Sequence, residues 1–246
     1  MAKSGKTSPW VYVAVGCGVA ILLAIVVVAG LGFAGWRWAR RLESDIKDPA
    51  SREARVLEVL GAERIPEGYY PVIGMEIPFF MEMAILSDVP PREGDDEPPD
   101  GFDERGFLYF KMISSGRDRR KLEDFLEGRE QDADFLRRSS INLSRGEVVS
   151  RGTLTLPGAE QARYVAQRGS IAMGRGGRGE GLTATALVEC SGDSRMRLAM
   201  WFGPDPDPAA EAASLDLSGT VADAEALGEF LGQFRFCGRS SPVEAP

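Results

Sequence analysis

The chain has 246 residues, of which 37 are acidic, 29 basic and 43% hydrophobic, with a net charge of −8; that length suits one domain or two small ones. It contains no histidine, which removes Ser-His-Asp and Cys-His catalysis, histidine-ligated metals and imidazole pH switching. Beyond residue 48 the charge is −11; a domain of that sign repels phosphate backbones, so nucleic acid is not an expected partner.

Residues 1–9 read as a polar tail, in which Gly5-Lys6-Thr7 imitates the end of a P-loop without the upstream glycine or strand that the motif requires. From Trp10 to Trp36 no charged residue occurs, and a helix of that length, about 40 Å, exceeds a hydrocarbon core of about 30 Å. Residues 10–36 are therefore predicted to form a single transmembrane helix. Its core spans Val13–Phe33 and includes Val13, Ala14, Gly18, Leu22, Ile25, Val28 and Phe33. Trp10 and Tyr12 at one end, with Trp36 and Trp38 at the other, match an interfacial aromatic belt, and Arg37, Arg40 and Arg41 add basic anchors. The run is too long for a cleavable signal peptide, and Ala14 stands where a lipoprotein signal places leucine. Lys3 and Lys6 on one side nearly balance Arg37, Arg40, Arg41 and Lys47 on the other, so charge leaves open which side of the cell membrane the domain occupies. Small residues four apart, such as Ala14/Gly18 and Gly16/Ala20, offer a helix-packing face and with it a homodimer.

Residues 37–61 are predicted as a juxtamembrane helical linker. Within it Asp48-Pro49 opens a helix, Gly61 closes it, and Val56, Leu57, Val59 and Leu60 face inward. A globular domain is expected over 62–238 and a flexible tail over 239–246. Tyr69–Ser87 reads as one or two strands interrupted by Pro71 and Pro78, and residues 88–105 as an acidic Pro/Gly loop. A strand at Phe107–Ile113, a helix at Arg119–Glu127 and a helical turn at Asp132–Arg138 follow. Strands are then expected at 147–156, 161–172, 182–190 and 195–202, with Pro157-Gly158 as a turn. Pairing the last two in an even-sum register puts Leu182, Ala184, Ala186 and Val188 on one face with Met196, Leu198 and Met200. The same register leaves Glu189 opposite Arg197 as an exterior charge pair. Thr220 is read as the cap of a closing helix over 221–234. Cys190 and Cys237 read as two small buried hydrophobes, a bridge between them being open to the chain in an oxidising compartment. The whole is predicted as α+β, a mostly antiparallel sheet covered by helices beyond one transmembrane helix.

This succession of strands, mid-chain helix, long meander and a closing helix running into FLGQFRF resembles the PsbP-like α/β/α sandwich domains. It also resembles single-pass bacterial membrane proteins that carry such a domain. The resemblance covers about residues 62–238, rests on element order, and implies binding or assembly rather than catalysis; no functional residue carries over from it.

Three motifs that suggest chemistry fail on their surroundings. Gly174, Gly176 and Gly179 fit G-x-G-x-x-G, but a β-branched, strand-like stretch follows where a dinucleotide site needs a helix. The acidic loop departs from the EF-hand pattern at Pro98 and Phe107. There is no G-x-S-x-G elbow. No catalytic, metal-binding or cofactor-binding residue is indicated, and no cofactor is expected. The sequence favours a membrane-tethered, non-enzymatic binding or assembly domain with a protein partner. The alternatives are a membrane-anchored carboxylate- or metal-dependent enzyme, and a small-ligand sensor with the apolar 69–87 segment lining a pocket.

Overall fold

Asp48 and Pro49 start the first helix as their chemistry requires: the Asp48 carboxylate accepts the Ser51 N–H at 2.9 Å, with proline in the first turn, where no donor is needed. In this computed structural model the described residues are 47–92, 96–130, 146–159, 161–172 and 178–237. The chain divides into two units, Met1–Ser44 and Asp45–Pro246; the first lies outside the described residues, as do the helical turn expected at 132–138 and the C-terminal tail.

The elements of the second unit are α1 (Pro49–Leu60), β1 (Tyr70–Ile77), β2 (Met81–Ser87), β3 (Gly106–Met112), α2 (Gly116–Leu126), β4 (Glu147–Leu154), β5 (Gln161–Ala172), β6 (Arg178–Glu189), β7 (Met196–Pro204) and α3 (Ala224–Leu231). The fold is α+β. One seven-stranded sheet in the order β1-β2-β3-β7-β6-β5-β4 is antiparallel throughout. Two meanders, β1–β3 and β4–β7, are joined where β7 pairs with β3, so β1 and β4 are the edges.

Strand residues alternate between two cores. On one face α1 contributes Val56 and Leu60, and α3 contributes Leu227, Phe230 and Leu231; they cover Ala84, Leu86, Phe107, Tyr109 and the alanine-rich rows of β5 and β6. The small residues of those rows let the helices approach closely. Gly74 does the same for α1: a Cβ there would sit 2.6 Å from the Val56 nitrogen. The helix expected to belong to a linker is thus part of the core. At its end Gly61 adopts φ +62° and its N–H returns to the Glu58 and Leu57 carbonyls. On the opposite face α2 sets Leu122, Phe125 and Leu126 against Val165, Leu187, Met196, Leu198 and Met200.

Both faces of these strands are buried, so apolar residues suit either one and the even-sum β6–β7 register does not follow. The observed register is odd-sum, with Val188 opposite Arg197 and Leu187 opposite Leu198. Met196, Leu198 and Met200 therefore point away from the Leu182–Val188 set and into the α2 core. Arg197 moves inside, only 2% exposed. Its Nε donates to the Phe236 carbonyl at 3.0 Å and its Nη2 to Asp193 at 2.5 Å. Ends also differ: α3 is shorter than expected and is capped by Asp223, whose Oδ1 accepts the Glu225 N–H. Thr220 instead closes the preceding turn by accepting the Ala222 N–H.

Cys190 and Cys237 are not two separate buried thiols. They form a disulfide, with Cα atoms 5.4 Å apart across 47 residues of sequence. The bond ties the end of β6 to the segment that follows α3.

Candidate functional site

The β1–β2 hairpin begins as a sequence pattern of period two. Ile73, Met75 and Ile77 alternate with Gly74 and Glu76, and Met81, Met83 and Ile85 with Glu82 and Ala84. Pairing brings the first set into rows: Ile73 opposite Ile85, Met75 opposite Met83, Ile77 opposite Met81. The rows continue onto β3 as Leu108, Phe110 and Met112, and onto β7 as Met200, Leu198 and Met196. Six of the chain's eight methionines thus share one sheet face.

α2 covers only the β7 side of that face. The six apolar side chains of β1 and β2 are each half-buried and belong to neither core among the described residues. The other face of the same hairpin is closed by α1 over Gly74 and Ala84. The hairpin tip extends the apolar surface outward, with Phe79 90%, Phe80 70% and nearby Ile113 65% exposed. The turn itself is strained. The Phe80 N–H donates to the Ile77 carbonyl at 3.0 Å, Pro78 takes the second position, and Phe79 holds φ +69° at the third. That third position in such a turn normally demands glycine. A bulky aromatic held there in full contact with solvent is stability given up for display. Phe79→Gly is accordingly expected to stabilise the protein by about 1 kcal/mol, read as a higher denaturation midpoint with unchanged slope; a lower midpoint would refute the strain.

The electrostatic setting is local. Behind the hairpin, Lys111 and Glu82 pair at 2.7 Å and Arg195 reaches Glu82 at 3.5 Å. The helix α2 begins three residues after Ile113, whose N–H donates to the Phe80 carbonyl at 3.2 Å, and its first two turns carry three exposed cations, Arg117, Arg120 and Lys121. The Ser115 hydroxyl caps that helix by accepting the Asp118 N–H. Farther along α2, Arg163 pairs with Glu127 at 2.5 Å and also with Glu123 and Glu189, fastening the helix to β5 and β6.

Other concavities are less distinctive. A groove of about 490 Å³ lies between the end of α1 and β2–β3, lined by Leu57, Val59, Tyr109 and Phe236 among others, with Arg235 paired to Glu63. Of the 69–87 segment expected to line a pocket, this groove takes only Glu82, whereas a small hollow of about 40 Å³ is lined by Glu76, Ile77, Phe79, Phe80, Met81 and Glu82. The acidic loop is fastened by its own side chains: the Asp88 carboxylate accepts the N–H groups of Asp103, Glu104 and Arg105, and the Ser87 hydroxyl donates to the Gly101 carbonyl. Among the described residues no group of three or more Cys, Asp or Glu side chains is arranged to hold a metal ion.

The membrane residues named from the sequence, Val13, Ala14, Gly18, Leu22, Ile25, Val28 and Phe33 with the anchors Trp10, Tyr12, Trp36, Arg37, Trp38, Arg40 and Arg41, all lie outside the described residues. Among the described residues no helix is long and apolar enough to cross a membrane. The half-exposed β1–β2 face went unrecognised in the sequence because the 69–87 stretch reads as uniformly apolar. Its signal was the alternation of Ile and Met with Gly, Glu and Ala, which assigns one side to the helix and, among the described residues, leaves the other half-exposed. The chain matches no protein-family model and no curated protein sequence.

Proposed function

We propose that this chain is a membrane-tethered, non-enzymatic binding or assembly domain that engages a protein partner through the β1–β2 face. The observation that carries the reading is the row of half-exposed Ile and Met side chains, outside both cores, ending in the solvent-facing Phe79 and Phe80. Methionine and aromatic residues are the side chains that interfaces enrich, and flexible thioethers adapt to partners of varied shape. The element order shared with PsbP-like domains supports the same reading. The tether is the apolar run 10–36. The Cys190–Cys237 bond supports a domain on the oxidising side of that membrane, since reducing compartments do not maintain structural disulfides.

The test uses the chain in its native membranes. Met75→Glu with Met83→Glu places two charges on the proposed contact surface, where each side chain is half-exposed, so the fold is expected to survive. The complex containing the chain, sized by native electrophoresis after gentle solubilisation, should collapse to the size of the chain alone, with the disulfide formed and the melting temperature unchanged. A complex of unaltered size, or a wild-type chain already running alone, would refute the proposal.

A further inference from the structure

We infer that the partner presents a single amphipathic helix, apolar on one side and acidic along its border, which lies on the β1–β2 face next to the start of α2. This rests on the docking reading above and specifies its occupant. The first argument is width. The axes of β1 and β3 are about 10 Å apart at roughly 4.8 Å per strand, which is one helix diameter. The seven residues of β2 run about 23 Å, the length of a helix of about 15 residues. A patch of that size is small for a stable pair of whole domains, which bury about 800 Å² per partner, and suits helix-in-sheet docking.

The second argument is charge. Arg117, Arg120 and Lys121 are exposed in the first two turns of α2, with Asp118 the one acid among them. They follow by four to eight residues Ile113, which is hydrogen-bonded to Phe80 at the hairpin tip, in a chain that is otherwise strongly acidic. An acidic helix border would meet these cations, whereas a basic one would be repelled. An anionic bilayer would meet the same cations but also the acidic remainder of the domain.

The experiment places the chain, labelled with ¹³C at its methionine methyl groups, in lipid nanodiscs. Two 14-residue amphipathic peptides are added in turn, one of leucine and glutamate and one of leucine and lysine in the same pattern. The Met75, Met81 and Met83 signals should shift with the glutamate peptide while Met196 and Met200 stay in place, and the lysine peptide should bind at least tenfold more weakly. Arg117→Glu with Lys121→Glu should weaken the glutamate peptide at least tenfold. No shift, equal binding of both peptides, or shifts of the same signals that follow anionic lipid content or protein concentration instead would overturn the inference, the last two assigning the face to lipid or to a second copy. A failed titration alongside a complex that still collapses in Met75→Glu/Met83→Glu would remove the acidic helix and keep the docking face.

Discussion

Replacing Cys190 and Cys237 together by serine is expected to lower stability by about 4 kcal/mol. The bond closes a loop across 47 residues, and removing that constraint returns chain entropy to the unfolded state by roughly that amount on the loop-closure estimate. For a domain of this size the melting temperature should fall by roughly 10 °C. The measurement is a pair of thermal melts, with and without reductant. Reductant should lower the wild-type midpoint toward that of the double variant and leave the variant unmoved. A wild-type midpoint insensitive to complete reduction would show that the bond constrains nothing. The same pair reports location: a chain isolated from membranes under alkylation should have both cysteines protected until it is reduced.

Arg197 carries the second large effect. Its guanidinium is buried beneath the Phe236 carbonyl and Asp193, with Nη1 also donating to the Arg195 carbonyl at 3.3 Å. Truncation to alanine strands the Phe236 carbonyl and opens a void beside Tyr109, a loss of about 3–5 kcal/mol by analogy with broken buried pairs. Arg197→Met, which keeps the volume and removes the charge, should cost less. Equal losses for both variants would mean that hydrogen bonding, not packing, dominates the site. The site also sets an acid limit. Hydrogen bonds from Arg195, and then the Arg197 guanidinium, hold the Asp193 carboxyl well below the usual carboxylate range. A carboxyl depressed in the folded state stabilises the fold above its ordinary titration range and loses that contribution as pH falls toward the depressed value. Denaturant midpoints for the wild type should therefore drop from about pH 4 downward, and Asp193→Asn should flatten that slope. Tyr109, fully buried beside this arginine, has its hydroxyl pushed upward by burial, so it adds no titration near neutral pH.

An aromatic cluster connects these two sites to the core. Phe230 stacks on Trp201 with ring centres 4.3 Å apart and 4° between planes, and meets Phe107 and Phe234 edge-on at 5.2 and 5.4 Å. The Trp201 indole donates to the Tyr69 hydroxyl at 2.7 Å, which supplies a polar partner for this half-buried tryptophan. This block joins α3 to β3 and β7 and continues through Phe234 to Phe236, whose carbonyl Arg197 holds, so loosening the segment beyond α3 is felt in the cluster.

Local punctuation made much of the fold legible in the sequence. Asp48-Pro49 and Gly61 bound α1, Pro157-Gly158 separates β4 from β5, and the bounds of β5 agree residue for residue with expectation, because each depends on backbone chemistry confined to a few neighbours. The same holds for the α+β class and the antiparallel pairing along the β4–β7 meander, whose connections are too short for a parallel crossover. Which way a strand faces is a different kind of fact. In β7, Met196, Leu198 and Met200 suit either face, and only the presence of α2 on the second face decided that they turn toward it. That decision carried Arg197 to the interior. The pairing of Cys190 with Cys237 was likewise settled by the return of the chain after α3, which no local pattern encodes. The β1–β2 face is the plainest case: its alternation was written in the sequence, but only the tertiary packing places α1 on one side of it and, among the described residues, leaves the other half-exposed. Sequence determines what each segment can bury; the layers around the sheet decide what it does bury.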